Sequence, residues 1–299
     1  ERIRACSGCW GGTRRGHMAE AGSDEEILNH LAVAGYCVIE AVIPPNSVRA
    51  VRESVAATLR SEYEATMARA AAVRAGGHRI GGSGIQALSG IVNLNRSFAP
   101  FLTDERIIGA VKTLFGDFYR ISNTSAMANH PGNERGYWHA DWPFNQTNAA
   151  HIPVPYADAV SKLSSLWMLS DFSPLTGGTL VIPGSHRAQT NPSGGAVFDR
   201  EAPHPSEVQI EGEAGSVLLF DSRLWHCVAV NRSDEPRVAL NVGYVPWWLN
   251  LQPTRPGSPE YEAMVVETGG KPNHTPLVPR AVFETLPPEL QPLLRHWVE

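Results

Sequence analysis

Short apolar runs separated by Gly and Pro turns begin near residue 118 and continue to residue 246. Runs of this length at this spacing are typical of an all-β barrel or sandwich. We therefore predict a mainly β fold for this part of the chain, with flanking helices elsewhere. The predicted strands lie near 118–128, 137–142, 163–172, 178–183, 207–210, 215–221, 224–230 and 237–246.

Helical patterns lie before and after this β region. Capping residues and apolar spacing predict helices between residues 24 and 115, among them a long one over 45–73 and another over 105–115. The Gly- and Ser-rich stretch 76–95 predicts a loop. Amphipathic spacing over 282–298 predicts a closing helix.

The chain divides into a leader, residues 1–20, and a single domain, residues 21–299. The leader has arginines set among Gly, Cys and Ser, and a Gly-His-Met step that resembles a cloning scar; a short Arg-rich targeting peptide is the alternative. Within the domain we expect N-terminal helices over 24–115, a β core over 118–250 and a C-terminal wrap and helix over 251–299.

Composition narrows the classes of function. A net charge of -5 gives no support for nucleic-acid binding, and no apolar run approaches the roughly 20 residues of a membrane span. Cys37 and Cys227 lie in apolar runs as buried thiols, while Cys6 and Cys9 lack the second pair that a structural zinc site needs. We expect a cytoplasmic monomer or homodimer whose partner is a small-molecule substrate.

One His-x-Asp step stands out. On an extended segment, His139 and Asp141 project to the same face, because strand side chains alternate. Trp138 and Trp142 flank the pair, and His226 follows a strand and turn far downstream. Two histidines and one carboxylate form a facial triad that holds Fe(II) and leaves positions open for substrate and O2. His186 is a reserve ligand, and a surface His with a turn Asp is the alternative reading.

Arg237 begins the last predicted strand, directly after a polar turn. In one reading it is a surface charge paired with a local acid such as Asp234. In the other it clamps the carboxylate of a cosubstrate that lies on the metal, since the turn returns it alongside His226.

Three segments together resemble the phytanoyl-CoA dioxygenase family of Fe(II)- and 2-oxoglutarate-dependent oxygenases. They are 139–141, 177–186 and 215–226, with Arg237 at the family's usual distance after the distal His. The resemblance implies a double-stranded β-helix, a cupin-like jelly roll, with flanking helices. It implies Fe(II), 2-oxoglutarate and O2, with ascorbate as a candidate reductant. Family halogenases have Gly or Ala where Asp141 stands, so halogenation is not expected.

The resemblance also assigns roles to residues. It implies His139, Asp141 and His226 as iron ligands, and Arg237 as the partner of the distal 2-oxoglutarate carboxylate. By position, Thr179 would hydrogen-bond that carboxylate and Trp167 would form a pocket wall. Further candidates, for the substrate pocket, are Asn123, Ser125, Met127, Trp142, Asn145, Arg187 and Trp225.

The expected activity is hydroxylation, or another oxidation of an unactivated C–H bond, in a small natural-product or lipid-like metabolite, with release of succinate and CO2. The aromatic content favours a hydrophobic or amphipathic substrate, and no basic cluster suited to an acyl-CoA is evident. One alternative is a cupin-type metal-dependent isomerase or lyase that does not use 2-oxoglutarate. Another is a metal-free β-domain.

Overall fold

Two antiparallel β-sheets that face each other form the centre of the protein. The computed structural model describes residues 23–141, 154–192 and 199–299. The strands of this part are β1 Tyr36–Ile39, β2 Ile85–Ser89, β3 Tyr119–Asn129, β4 Leu163–Met168, β5 Leu180–Val181, β6 Val208–Gln209, β7 Val217–Asp221, β8 His226–Cys227 and β9 Arg237–Pro246. The major sheet has the order β1-β7-β4-β9-β3-β2, and the minor sheet has the order β6-β5-β8.

The described residues form seven α-helices, most of which pack on one side of the major sheet. They are α1 Asp24–Ala34, α2 Pro45–Ser61, α3 Tyr63–Ala75, α4 Glu105–Phe115 and the short α5 Pro259–Tyr261, α6 Arg280–Phe283 and α7 Gln291–Leu294. Single turns of 3₁₀-helix and one π-helical turn, Glu262–Val266, join them. Within the described ranges, no helix combines the length and apolar character needed to cross a membrane.

The two faces of the major sheet have different partners. Strand side chains alternate, and cross-strand partners share a face. Trp167 pairs with Leu240, and both belong to the large apolar cluster that includes the helices. Met168 pairs with Ala239, and both belong to a second cluster that includes Val181 of the minor sheet. We call the helix-packed side the outer face and the side toward the minor sheet the inner face.

The prediction of one long helix over 45–73 is wrong, because Glu62 leaves the helical conformation and separates α2 from α3. The side-chain amide of Gln86 donates a hydrogen bond of 2.7 Å to the carbonyl of Leu59. In an unbroken helix that carbonyl would accept from the residue four positions on. An inserted side chain that takes such a carbonyl is a known cause of helix breaks.

The prediction of a loop over 76–95 is also wrong in part, since this stretch contains β2. Gln86 explains why the strand is hard to recognise: a polar residue, 1% exposed, occupies a buried position and disrupts the apolar alternation. Its buried amide is satisfied by Leu59 and by the hydroxyl of Thr66, at 2.9 Å.

The closing helix predicted over 282–298 is replaced by short helical turns. Proline at positions 287, 288 and 292 interrupts it, because proline lacks an amide donor and clashes with the preceding turn. The apolar residues of the segment are nevertheless buried, and Trp297 donates its indole N–H to the carbonyl of Ile121 at 2.9 Å. The segment therefore closes the outer core as expected, without a continuous helix.

Several predicted strands are shorter in the structure. In the described part of 137–142, which ends at residue 141, the strand is replaced by an isolated bridge between His139 and His226, and 178–183 shortens to β5. Strand β9, by contrast, has the predicted bounds. The leader lies outside the described residues, and the proposed domain limits remain predictions.

Candidate metal and 2-oxoglutarate site

The ligand atoms of His139, Asp141 and His226 lie within 4.8 Å of one another. Oδ1 of Asp141 is 3.9 Å from Nε2 of His139 and 3.7 Å from Nε2 of His226. The sequence predicted these three residues as one set, and the structure brings them together on the inner side of the two sheets.

Backbone pairing creates this proximity. His226 begins β8, and its strand register places it beside Val181 of the inner cluster. His139 and His226 exchange two backbone hydrogen bonds, of 3.1 and 2.9 Å, so their imidazole rings are cross-strand neighbours with centroids 4.2 Å apart. The amide of Asp141 donates to the carbonyl of Ser222 at 2.8 Å, which continues the pairing.

Each imidazole is fixed in orientation by a backbone carbonyl. Nδ1 of His139 lies 3.0 Å from the carbonyl of Tyr137, and Nδ1 of His226 lies 2.9 Å from the carbonyl of Leu224. A carbonyl only accepts, so each Nδ1 carries the proton and each Nε2 keeps its lone pair for a metal. Both Nε2 atoms are the ones directed toward Asp141.

The second oxygen of Asp141 is also held. Oδ2 accepts a hydrogen bond of 2.8 Å from the hydroxyl of Ser164, on β4, and that hydroxyl is 2.8 Å from the hydroxyl of Ser222. The carboxylate therefore presents Oδ1 to the histidines while Oδ2 is anchored to the major sheet. Sequence reasoning missed both serines, because only the folded register places them beside the carboxylate.

The protonation states suit metal binding. Burial, and after it the neighbouring His226, lowers the pKa of His139 to about 4. Burial alone would raise the pKa of Asp141, but the charges of His226 and Lys162 outweigh it and bring that pKa to about 2. At neutral pH the imidazole is neutral and the carboxylate ionised, so a metal need not displace their protons.

This donor set fits ferrous iron. Two imidazole nitrogens and one carboxylate oxygen, with no thiolate among them, form the set that non-haem Fe(II) oxygenases use, and they leave coordination positions open. Cys227 follows His226 but packs in the cluster on the far side of the minor sheet, and burial raises the pKa of its thiol to about 12. His186 is not part of the set; its Nε2 lies 3.3 Å from the carbonyl of Ala32.

Arg237 lies on the inner face at the start of β9, only 4% exposed. Among the described residues no carboxylate, Asp234 included, lies within ion-pairing distance of it, and its buried Nε lacks a hydrogen-bond partner. Its guanidinium carbon lies 4.1 Å from the ring centre of Phe172. Burial lowers its pKa to about 9, so it stays charged at neutral pH. A buried, unpaired guanidinium beside a metal triad fits the carboxylate of a cosubstrate.

Asn129 is a further residue that sequence reasoning missed. It is the cross-strand partner of Arg237 in the β3–β9 ladder and is fully buried. Neither its side-chain oxygen nor its side-chain nitrogen has a hydrogen-bond partner in the described part of the chain. Buried amides are nearly always bonded, so this pair of orphaned atoms next to Arg237 indicates a polar ligand on the inner face.

Of the two other residues expected near the cosubstrate, one lies on the inner side. Thr179 directly precedes β5 and is buried. Residues two apart in a strand face the same side, so Thr179 projects to the inner side together with Val181. Trp167 is a correction: it lies on the outer face with Leu240 and donates its indole N–H to Ser165 at 2.9 Å. It therefore cannot form a wall of a pocket at Arg237, and we do not assign it a binding role.

The predicted substrate residues divide into separate groups. Asn123 and Ser125 line a cleft of about 210 Å³ that Asp141 also lines. Met127 continues the same face of β3, opposite Ala239. Trp142 and Asn145 lie outside the described residues.

Arg187 and Trp225 are corrections, since both point away from this cleft. The guanidinium of Arg187 is exposed and donates to the carbonyl of Ala32. Trp225 packs against the cluster that contains Cys227, on the far side of the minor sheet. Adjacent strand residues face opposite sides, so Trp225 and His226 project to different faces.

Comparison with known proteins agrees with this geometry. The family model described as Phytanoyl-CoA dioxygenase (PhyH) matches residues 31–239. Dioxygenase af480 of Aspergillus fumigatus is 28% identical over 202 residues, which are 67% of this chain and 55% of the fungal protein. Ectoine dioxygenase of Nocardia farcinica is 28% identical over 176 residues, 51% of this chain and 56% of that protein. The chain thus spans about half the length of these curated relatives.

Among solved structures, HygX from Streptomyces hygroscopicus, with nickel, 2-oxoglutarate and hygromycin B bound, superposes with a TM-score of 0.52 and 17% identity. The match covers 75% of this chain and 88% of HygX. At this identity it supports the fold alone, and the jelly-roll prediction is confirmed. The family match, which covers more than half of the chain, confirms the predicted family: this chain belongs to the phytanoyl-CoA dioxygenase family of iron- and 2-oxoglutarate-dependent dioxygenases.

Proposed function

We propose that this protein is a 2-oxoglutarate-dependent dioxygenase that hydroxylates a C–H bond of a small organic substrate, with release of succinate and CO2. The observation that supports this most is Arg237: a buried cation on the same inner face as the triad, with no ion-pair or hydrogen-bond partner among the described residues. A cupin-type isomerase or lyase needs the metal ligands but has no use for such a residue.

The residues of the chain have distinct tasks in this reaction. His139, Asp141 and His226 would hold a ferrous ion, which with 2-oxoglutarate supplies the O2-derived oxidant. Arg237 offers a bidentate partner for the distal carboxylate of 2-oxoglutarate, and the amide of Asn129 offers a further donor beside it. Ser164 keeps Asp141 in one orientation throughout.

The surroundings of Arg237 favour this pairing. Phe172 covers the guanidinium, and the inner apolar cluster around it excludes water. In such a dry environment an ion pair is far stronger than in water, and a missing partner is costly. The cosubstrate would therefore relieve an unfavourable state of the ligand-free protein.

The test is anaerobic addition of Fe(II) and 2-oxoglutarate to the purified protein, with the visible charge-transfer band of the chelate as the readout. We expect a band in the wild type and none in Asp141→Ala. Succinate formation in air measures turnover directly. If iron binds stoichiometrically and no band forms, the oxygenase proposal is wrong and the cupin-type enzyme replaces it.

A further inference from the structure

Lysine is rare in this chain, and its distribution is uneven. The 299 residues include only three lysines: Lys112, Lys162 and Lys271. Lys112 is exposed in the last turn of α4. The other two each act electrostatically on a metal ligand, Lys162 on Asp141 and Lys271 on His139. Two of the three lysines therefore belong to segments at or directly next to the cleft that Asp141 lines: Lys162 lines it, and Lys271 lies two residues before Asn273, which also lines it.

Lys162 directly precedes β4 and lines the same cleft as Asp141. Its Cε lies 3.0 Å from the position that a Cβ would occupy on Gly243 of β9. The aliphatic stem thus lies across the backbone of β9, in space that the absent side chain leaves free.

Lys271 approaches from the C-terminal segment. Its carbonyl accepts a hydrogen bond of 2.7 Å from the amide of Asn273, and residues 273–276 line the cleft directly after this turn. The side chain is half-buried, and burial lowers its pKa. A second, partly buried cation therefore lies next to the residues that line the cleft, at some desolvation cost.

Neither lysine has an acidic partner among the ion pairs of the described residues. The nearby arginines differ in this respect, since Arg79 pairs with Glu201 at 2.6 Å and Arg135 pairs with Glu207 at 2.6 Å. The amino-acid sequence of 142–153, which follows Asp141, contains no Asp or Glu.

The charge balance of the loaded site extends this argument, and this step rests on the proposed function. A ferrous ion and Arg237 together offset Asp141 and the two carboxylates of 2-oxoglutarate. The loaded centre is then neutral, and the charges of both lysines remain uncompensated. Partly buried cations without counter-charge are unfavourable unless a ligand supplies it.

We propose that Lys162 and Lys271 form an anion site, and that the substrate is a small polar molecule with an acidic group, such as a carboxylate, bound in the cleft beside Asp141. The remaining lining agrees, since Asn123, Ser125 and Asn241 present amides and a hydroxyl. A cleft of about 210 Å³ is smaller than the roughly 300–1,000 Å³ of sites for drug-sized ligands. This substrate differs from the hydrophobic one that the aromatic content suggested.

The first experiment observes the lysines themselves. Reductive methylation with ¹³C-formaldehyde keeps each charge and gives each lysine its own NMR signal. The protein is loaded with Zn(II), as a redox-inactive substitute for iron, and 2-oxoglutarate, and is titrated with benzoate and, separately, with benzamide. We expect benzoate to shift the signals of Lys162 and Lys271 saturably and to leave that of Lys112 in place, while benzamide shifts none. Equal shifts of all three signals, or none, would overturn the proposal.

The second experiment uses variants. Lys162→Met and Lys271→Met should each weaken benzoate binding roughly tenfold or more, the loss of one charge-assisted contact. The matched control, Lys112→Met, should bind benzoate like the wild type. The 2-oxoglutarate concentration that gives half the chelate band should stay unchanged in all three variants. If Lys162→Met instead raises that concentration and leaves benzoate binding intact, Lys162 contacts the cosubstrate and the proposal fails.

The two proposals can fail separately. If no chelate band forms in the wild type, the oxygenase function is wrong, yet the benzoate titration with metal alone still decides whether the lysines form an anion site. If the band forms and the lysine signals do not respond to benzoate, the oxygenase function stands and the acidic substrate is wrong.

Discussion

The two faces of the major sheet are built from the same strands and are used in opposite ways. On β9, residues that face outward alternate with residues that face inward, one position apart. The outward residues are Val238, Leu240, Val242 and Tyr244, and the inward residues are Arg237, Ala239, Asn241 and Gly243. The outward set is apolar apart from one phenol, while the inward set contains a cation, an amide and a glycine.

The polar side chains that the central strands place on the outer face are satisfied within the protein. The phenol of Tyr244 donates to the carbonyl of Leu102 at 2.9 Å, and the hydroxyl of Ser165 donates to the carbonyl of Val242 at 2.8 Å. The indole of Trp167 donates to that same hydroxyl. These three groups therefore need no ligand.

Two polar side chains on the inner face lack hydrogen-bond partners among the described residues. Arg237 and Asn129, adjacent in the ladder, have buried atoms that no described residue contacts by a hydrogen bond. Such groups reduce stability unless a ligand satisfies them. The comparison teaches that one strand can stabilise the fold with alternate residues and keep the others available for chemistry.

The largest expected effect comes from Arg237→Leu. The loss of one partner of a buried ion pair costs about 3–5 kcal/mol, so 2-oxoglutarate should be needed at roughly 10²- to 5 × 10³-fold higher concentration for half of the chelate band. Without ligand, the free energy of unfolding in urea should not fall, because an unpaired buried charge is removed. Arg232→Leu, an exposed arginine in the preceding turn, is the control for both measurements. An unchanged 2-oxoglutarate titration would refute the clamp.

The converse change on the outer face is Leu240→Ala. This side chain is fully buried among the helices, so its truncation should lower the free energy of unfolding by about 2–5 kcal/mol. The chelate titration of the folded fraction should match that of the wild type. Urea unfolding and the band titration, run on one preparation, measure both quantities. A large loss of 2-oxoglutarate affinity here would show that the two faces are not independent.

Adjacent serines on β4 give a finer comparison. Ser164→Ala removes the hydrogen bond to Oδ2 of Asp141 and should weaken iron binding roughly 10- to 100-fold, as losses around metal ligands do. Ser165→Ala, one residue further and on the outer face, should instead cost about 1 kcal/mol of stability and leave iron affinity unchanged. Iron titration and urea unfolding of both variants separate the roles. Equal iron affinities would mean that Ser164 does not position the carboxylate.

Much of this fold could be predicted because hydrophobic periodicity and turn-forming residues are local properties of the sequence. The bounds of β9 follow from its alternation and from the polar turn before it. The break at Glu62 and strand β2 could not be predicted, because both depend on Gln86 reaching Leu59 across the fold. The closing segment differs from its prediction for another reason. Its apolar spacing indicates one continuous helix, but three prolines interrupt that helix.

The metal set could be predicted because His139 and Asp141 are two residues apart and because His226 stands at the start of a predicted strand. Their partners were not, since Ser164 and Ser222 become neighbours only through sheet register. Trp167 shows the limit of positional analogy: a one-residue difference in register decides which face a side chain occupies, and the sequence does not display it.

The smallest expected effect is that of Asn129→Leu, a change of similar volume on the inner face. It removes an amide that has no protein partner, so stability without ligand should be unchanged or higher. Affinity for 2-oxoglutarate should fall roughly tenfold, the loss of about 1.5 kcal/mol, which is the low end for a hydrogen bond to a charged group. A double-mutant cycle with Arg237→Leu should give coupling, because both residues would contact one carboxylate. Independent effects, or a loss of stability with unchanged 2-oxoglutarate affinity, would place Asn129 among the structural residues and leave the contact with the cosubstrate carboxylate to Arg237.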